Sequence, residues 1–169
     1  FIFSYDWINF YGNHSSTGSY LAGKLSNDID NIRVINMQDY EQYYLKICNL
    51  LKVLYYVLKM SIVLRKDDVV FLMEYLGRSS FHVELGMLLR IIRPKAKIYG
   101  MAHLTGKHLL EIYKSKQKIS RKINNLDRCY VLGSSLANFF VNEIGYKNVR
   151  TVFHYVDNEY YKPLDFVEK

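Results

Sequence analysis

Histidine is the side chain best suited to proton transfer near neutral pH. Three of the five in this sequence, His14, His82 and His103, fall beyond short apolar runs. An imidazole so placed can act as an acid–base group, or hydrogen-bond a substrate hydroxyl or phosphate. A structural histidine is the competing reading for each. His103, which follows its apolar run directly, is the foremost candidate. Asp6 and Glu74 are the carboxylates that follow runs of the same kind. The stretch YGNHSSTGSYLAGKL adds Ser15, Ser16, Thr17 and Gly18 ahead of a helix. Their hydroxyls and backbone N–H groups suit a phosphate or a sugar hydroxyl. Plain helix capping uses the same residues and is compatible with that role.

Spacing argues against several other chemistries. A dinucleotide site needs Gly-x-Gly-x-x-Gly after its first strand, and Gly12 and Gly18 stand too far apart. The run GMAHLTGKH approaches a phosphate-binding loop. Five residues rather than four separate Gly100 from Gly106, however, and His108 replaces the required hydroxyl residue. In LGSSL glycine stands on one side only, so no nucleophile elbow is present. No His-x₃-His or cysteine pair supports a metal. Cys48 and Cys129 sit in apolar runs and read as buried thiols of a reducing compartment. The net charge of +7 favours acidic partners such as lipid headgroups or phosphorylated substrates. No zinc-finger, recognition-helix or RNP signature accompanies it, so nucleic acid is not expected.

These groups need a scaffold, and the apolar pattern supplies one. With 169 residues, half of them hydrophobic, the chain can build one well-packed domain. Six short runs read as strands: Phe1–Tyr5, Ile32–Asn36, Val69–Met73, Lys97–Met101, Cys129–Leu132 and Arg150–Phe153. Longer segments between them carry helical spacing. Phe81, Leu85, Leu88, Leu89 and Ile92 form one stripe, ended by Pro94. Leu136, Phe139, Phe140 and Ile144 form another, with Ser134 and Ser135 as N-caps and Gly145 as the stop. Tyr44–Leu64 is apolar enough to suggest a membrane span, but Lys46, Lys52 and Lys59 interrupt it. A long amphipathic helix on a sheet is the expectation, with a surface-lying membrane helix as the alternative. The basic run Lys107–Arg128 reads as a solvated helix face. Tyrosine, at 16 residues, suits half-buried positions where an apolar ring needs a wet tip. Alternating strands and helices predict a Rossmann-like three-layer α/β domain, with a mostly parallel sheet and helices on both faces. Its ligands would bind at the carboxyl ends of the strands, where the three histidines then converge.

With those elements in place, the stretch RCYVLGSSLANFFVNEIGYKNVRTVFHYVDNEYYKP resembles one found in glycosyltransferases of the GT-B fold, the large retaining family 4 group in particular. That family shows a strand, a serine, a helix ending near glycine, another strand, then Asn-Gly-Val-Asp-x-x-x-Phe-x-Pro. Ser134 or Ser135 fits the serine and Gly145 the glycine. Val156, Asp157, Tyr161 and Pro163 fall on the Val, Asp, Phe and Pro positions. His154 and Tyr155 stand where Asn and Gly are usual.

The resemblance implies one half of a GT-B enzyme. Residues 1–155 would be its N-terminal, acceptor-side domain, and 156–169 the start of the linker to a C-terminal donor-binding domain. Phe1, already inside an apolar run, also suggests a piece of a longer protein. The implied reaction moves a sugar from a nucleotide-sugar donor to a glycan or glycolipid acceptor, a lipid phosphate included, with retention and without further cofactor or metal. The implied setting is cytoplasmic, with synthesis at the inner membrane face, where an anionic surface would suit the charge. Asn13, Ser15, Ser16, Thr17 and Gly18 resemble the loop that approaches the donor phosphates and the acceptor. His103 resembles the histidine that lines the acceptor side and is the expected catalytic group. Glu74, His82 and Ser134 are expected to bind the acceptor beside it. Asp157 and Pro163 would be hinge residues. The alternative is an α/β module that binds a nucleotide or another ligand without chemistry.

Overall fold

The structure, a computed structural model, describes residues 1–5, 32–37, 43–77 and 81–152. Its six strands are β1 (Ile2–Tyr5), β2 (Val34–Met37), β3 (Val69–Leu72), β4 (Lys97–Ala102), β5 (Arg128–Val131) and β6 (Val149–Thr151). They form one sheet in the order β2-β1-β3-β4-β5-β6, and every pairing is parallel. All six apolar runs are strands, and the fold is the Rossmann-like α/β class that their alternation with helices predicts. The domain boundary expected at 155 and the linker over 156–169 lie outside the described residues.

Helix α1 (Tyr43–Val63) follows β2 and α2 (His82–Ile92) follows β3. Helices α3 (Gly106–Tyr113) and α4 (Lys116–Ile123) follow β4. Helix α5 (Ser134–Asn138) follows β5 and continues as a π-helix over Phe139–Ile144. These crossovers all step the same way along the sheet, so right-handed connection sets them on one face. The core agrees. Val53, Val57 and Met60 of α1, Leu85 and Leu89 of α2, and Ile119 and Ile123 of α4 share one buried cluster with Val70, Leu72, Ile98, Cys129 and Val131 of the sheet.

Strand side chains alternate in burial. The alternate positions Phe71, Tyr99, Met101 and Tyr130 are half-buried, and Lys97, Arg128 and Arg150 among them are exposed. Phe71 and Tyr99 each pack a ring against Tyr130, at 5.7 and 6.2 Å between centroids. Among the described residues, no helix side chain joins the small cluster of Ile2 and Met73 on this second face.

The predicted stripe of α2 is rotated. Leu85 and Leu89 are buried, but Ile92 is exposed, and His82, Val83 and Gly86 complete the inner face. The cause is Gly86, where a Cβ would stand 3.0 Å from Leu72 Cδ1 and 3.3 Å from the Tyr75 ring. The missing side chain lets the helix seat on its glycine. In α5 the residue at the N-cap position is Gly133, not Ser134 or Ser135, and no side chain caps the helix. Gly145 ends the π-helix in the left-handed region, φ +80°, as its type suggests. Phe139 and Phe140, consecutive in the π-helix, are both buried in the core.

At the amino edge of the sheet, Arg90 of α2 and Arg93 just after it hold the layers together. Arg90 Nε and Nη2 donate to the Asn125 carbonyl at 3.1 and 3.0 Å, and Nη1 donates to the Pro94 and Ala96 carbonyls at 2.7 and 3.1 Å. Its Nη2 also meets Asp127 Oδ2 at 2.7 Å, and that oxygen accepts the Ile98 N–H. Arg93 donates to the Ser61 and Leu64 carbonyls, closing the end of α1.

The β4 glycine, Gly100, gives a stability prediction. A Cβ there would stand 2.7 Å from Leu126 Cδ1 and 3.0 Å from Tyr75 Cβ. Gly100→Ala is expected to cost about 1–3 kcal/mol in urea unfolding through overpacking. An unchanged midpoint would show that Leu126 yields without cost.

Candidate functional site

In an open parallel sheet, the ligand crevice lies beyond the carboxyl ends of the strands where the winding direction reverses. Here the connection from β1 steps one way, to β2, and every later one steps the other way, so the reversal falls between β1 and β3. Asp6, Asn13, His14, Ser15, Ser16, Thr17 and Gly18, which follow β1 in the sequence, lie outside the described residues. The β3 and β4 sides are described.

The chain leaves β3 through a tight turn at Glu74, Tyr75 and Leu76. Glu74 and Leu76 both have positive φ, 56° and 68°, which L side chains adopt at a cost. Gly77 N–H closes the turn on the Glu74 carbonyl at 3.1 Å. Several contacts impose the shape. Tyr75 and Leu76 are both buried, and Tyr75 N–H donates to the Met101 carbonyl at 2.6 Å. The Tyr75 hydroxyl donates to the Lys122 carbonyl at 2.8 Å, and His82 Nδ1–H donates to the Met73 carbonyl. The turn thus leaves the half-buried Glu74 at the rim of the crevice.

His103 directly follows β4, the strand beside β3, and its ring is half-buried with Nε2 shielded. The Tyr75–Met101 hydrogen bond joins the end of β4 to the β3 turn, so Glu74 and His103 stand on adjoining strand ends. The chain then enters α3 through Thr105, whose hydroxyl accepts the His108 N–H at 3.3 Å. Sequence reasoning set His108 against a phosphate-loop position and missed Thr105 as the cap, although a threonine ahead of a helix is a capping signal. Ser134 lies one strand further out, exposed at the start of α5.

His82 stands apart from this group. It is fully buried beneath the β3 turn, and burial pushes its imidazole down to about 4, against the weaker pull of the Met73 carbonyl. It is a neutral ring that holds the turn. The cysteines diverge. Cys129 is buried and its thiol is pushed up to about 12 by that burial, whereas Cys48 is exposed on α1 and corrects the expectation of two buried thiols.

Beside the crevice, α3 and the π-helix flank a cleft of about 540 Å³. Lys107, Glu111, Lys114, Phe139 and Glu143 line it. Among the described residues, no three His, Cys, Asp or Glu side chains gather as a metal site would require. Comparison with protein-family models and with curated proteins found no match to this chain.

Burial of His82 makes stability depend on pH. The folded-state value lies below the ordinary 6.5, so the unfolded chain takes up the proton more readily. This contribution is intact above the unfolded value and is lost as the pH falls towards about 4. Lowering the pH from about 7.5 to about 5 is expected to cost roughly 2 kcal/mol through this residue. His82→Gln should flatten that part of the profile in urea titrations. A variant with the slope of the parent would place the titration elsewhere.

Proposed function

We propose that this chain is the acceptor-side domain of a two-domain glycosyltransferase that moves a sugar from a nucleotide-sugar donor to a glycan or glycolipid acceptor. The observation that carries the reading is the run from β5 to Pro163. It comprises a strand, Ser134 at the start of a helix, and Gly145 at its left-handed stop. A short strand β6 follows, then Val156, Asp157, Tyr161 and Pro163 at the family's spacing. The parallel Rossmann-like sheet is the scaffold such a domain uses.

In this reading the acceptor lies in the crevice beyond β3 and β4. Glu74 would accept hydrogen bonds from its hydroxyls. His103 would orient the reacting hydroxyl or hold charge beside a phosphate. His82 would act through the β3 turn that it supports. Residues 13–18 would approach the donor phosphates from the β1 side. The donor itself would be held mainly by a partner domain.

The test is nucleoside diphosphate release and sugar transfer by the full-length protein that contains this chain. His103→Ala is expected to lower transfer about a hundredfold. His14→Ala should lower it less, and the 169 residues alone should transfer no sugar. Equal activity of the two variants would remove His103 from the site. An encoded protein lacking a second α/β domain, and inert towards every nucleotide sugar, would overturn the reading.

A further inference from the structure

Helix α1 is apolar on two sides. Its inner side, with Val53, Val57 and Met60, packs on the sheet. On its outer side Ile47, Leu51, Leu54, Tyr55, Leu58 and Ile62 recur at helical spacing and remain exposed, Leu51 and Leu58 at 61% and Ile62 at 83%. From Ile47 to Ile62 the stripe runs about 22 Å along the axis. Soluble surfaces normally scatter such residues singly, and a continuous stripe marks a contact surface.

The charge beside the stripe selects its occupant. Lys52 and Lys59, seven residues apart and both exposed, follow one margin of it, and the helix contains no Asp or Glu. Lys59 Nζ lies 5.7 Å from the centroid of the Tyr55 ring, an aromatic–cation pairing suited to a water–lipid boundary. The residues that follow, Arg65, Lys66, Asp67 and Asp68, balance one another and leave the lysine excess intact. A second copy of α1 would bring lysines against lysines, with no carboxylate on the helix to receive them. An anionic bilayer satisfies both features. Its acyl boundary receives the leucines, and its headgroup phosphates receive the lysines. No described helix is long and apolar enough to cross a membrane, so α1 would lie in the interface plane with its inner face kept on the sheet.

The geometry points to α1 as the element that docks this chain on an anionic lipid surface, an assignment that does not rest on sugar-transfer chemistry. Flotation with phosphatidylcholine vesicles, with and without phosphatidylglycerol, tests it. Binding is expected only to the anionic vesicles. Leu51→Ser with Leu58→Ser should weaken it about tenfold or more, and each of Lys52→Glu and Lys59→Glu about fivefold. All four side chains are exposed, so circular dichroism should show an unchanged fold, and Val141→Ser on the π-helix should bind as the parent does. Equal binding to both vesicle types, or binding untouched by the leucine substitutions, would overturn the assignment. So would a dimer that the leucine substitutions dissociate, or capture of an acidic protein, in the absence of vesicle binding.

Discussion

Everything at the carboxyl edge depends on where the Tyr75 ring goes. The ring drops from the end of β3 into the space left by two glycines, Gly86 on α2 and Gly100 on β4, and its hydroxyl reaches the Lys122 carbonyl at the end of α4. One side chain therefore touches the sheet and both flanking helical segments. To place it there the backbone takes positive φ on either side, at Glu74 and Leu76. Each such residue costs about 1–3 kcal/mol. Removing a core aromatic ring typically costs about 3–5 kcal/mol, and a buried hydroxyl hydrogen bond adds about 1. The two sides are comparable, so the turn is held by its packing and not by local preference.

That balance explains which parts of the molecule were legible in the sequence. Strands β3, β4 and β5 announced themselves because they bury apolar side chains, and Gly145 announced a helix end because its type matches its conformation. The turn at Glu74–Leu76 carried no such signal, since neither Glu nor Leu favours positive φ and the ring that compels it lies beneath. The rotation of α2 was hidden for a related reason. A hydrophobic stripe counts side chains, while the contact face of α2 is centred on a glycine that has none. His103 and Glu74 could be assigned to the carboxyl edge from strand order alone. That His82 would be sealed beneath the turn could not, because its burial depends on the same unannounced backbone shape.

Helix α1 shows a different limit. Periodicity distinguishes an inner from an outer face only when the outer face is polar. In α1 both are apolar, so Cys48 read as buried from its neighbours yet stands exposed. The fully buried Asn49 next to it inverts the usual rule in the other direction. Only the position of the sheet separates the two sides, and only then do the lysines become the margin of a stripe instead of interruptions in a hydrophobic run.

The two edges of the sheet divide labour in a way that follows from their chemistry. At the amino edge, Arg90 and Arg93 spend their guanidinium N–H groups on backbone carbonyls at helix ends and turns, with Asp127 completing the set. These are charge-assisted bonds to carbonyls at the end of α1 and in the turns before β4 and β5. They tie α1, α2, α4, β4 and β5 without asking any residue for an unfavourable φ. The carboxyl edge does the reverse, accepting unfavourable backbone at Glu74 and Leu76, just beyond β3 and next to the strand that His103 follows. Strain of this kind survives only where the surroundings over-determine it. A sheet clamped at one edge can tolerate it at the other, and the strained end is the one where parallel α/β sheets receive their ligands.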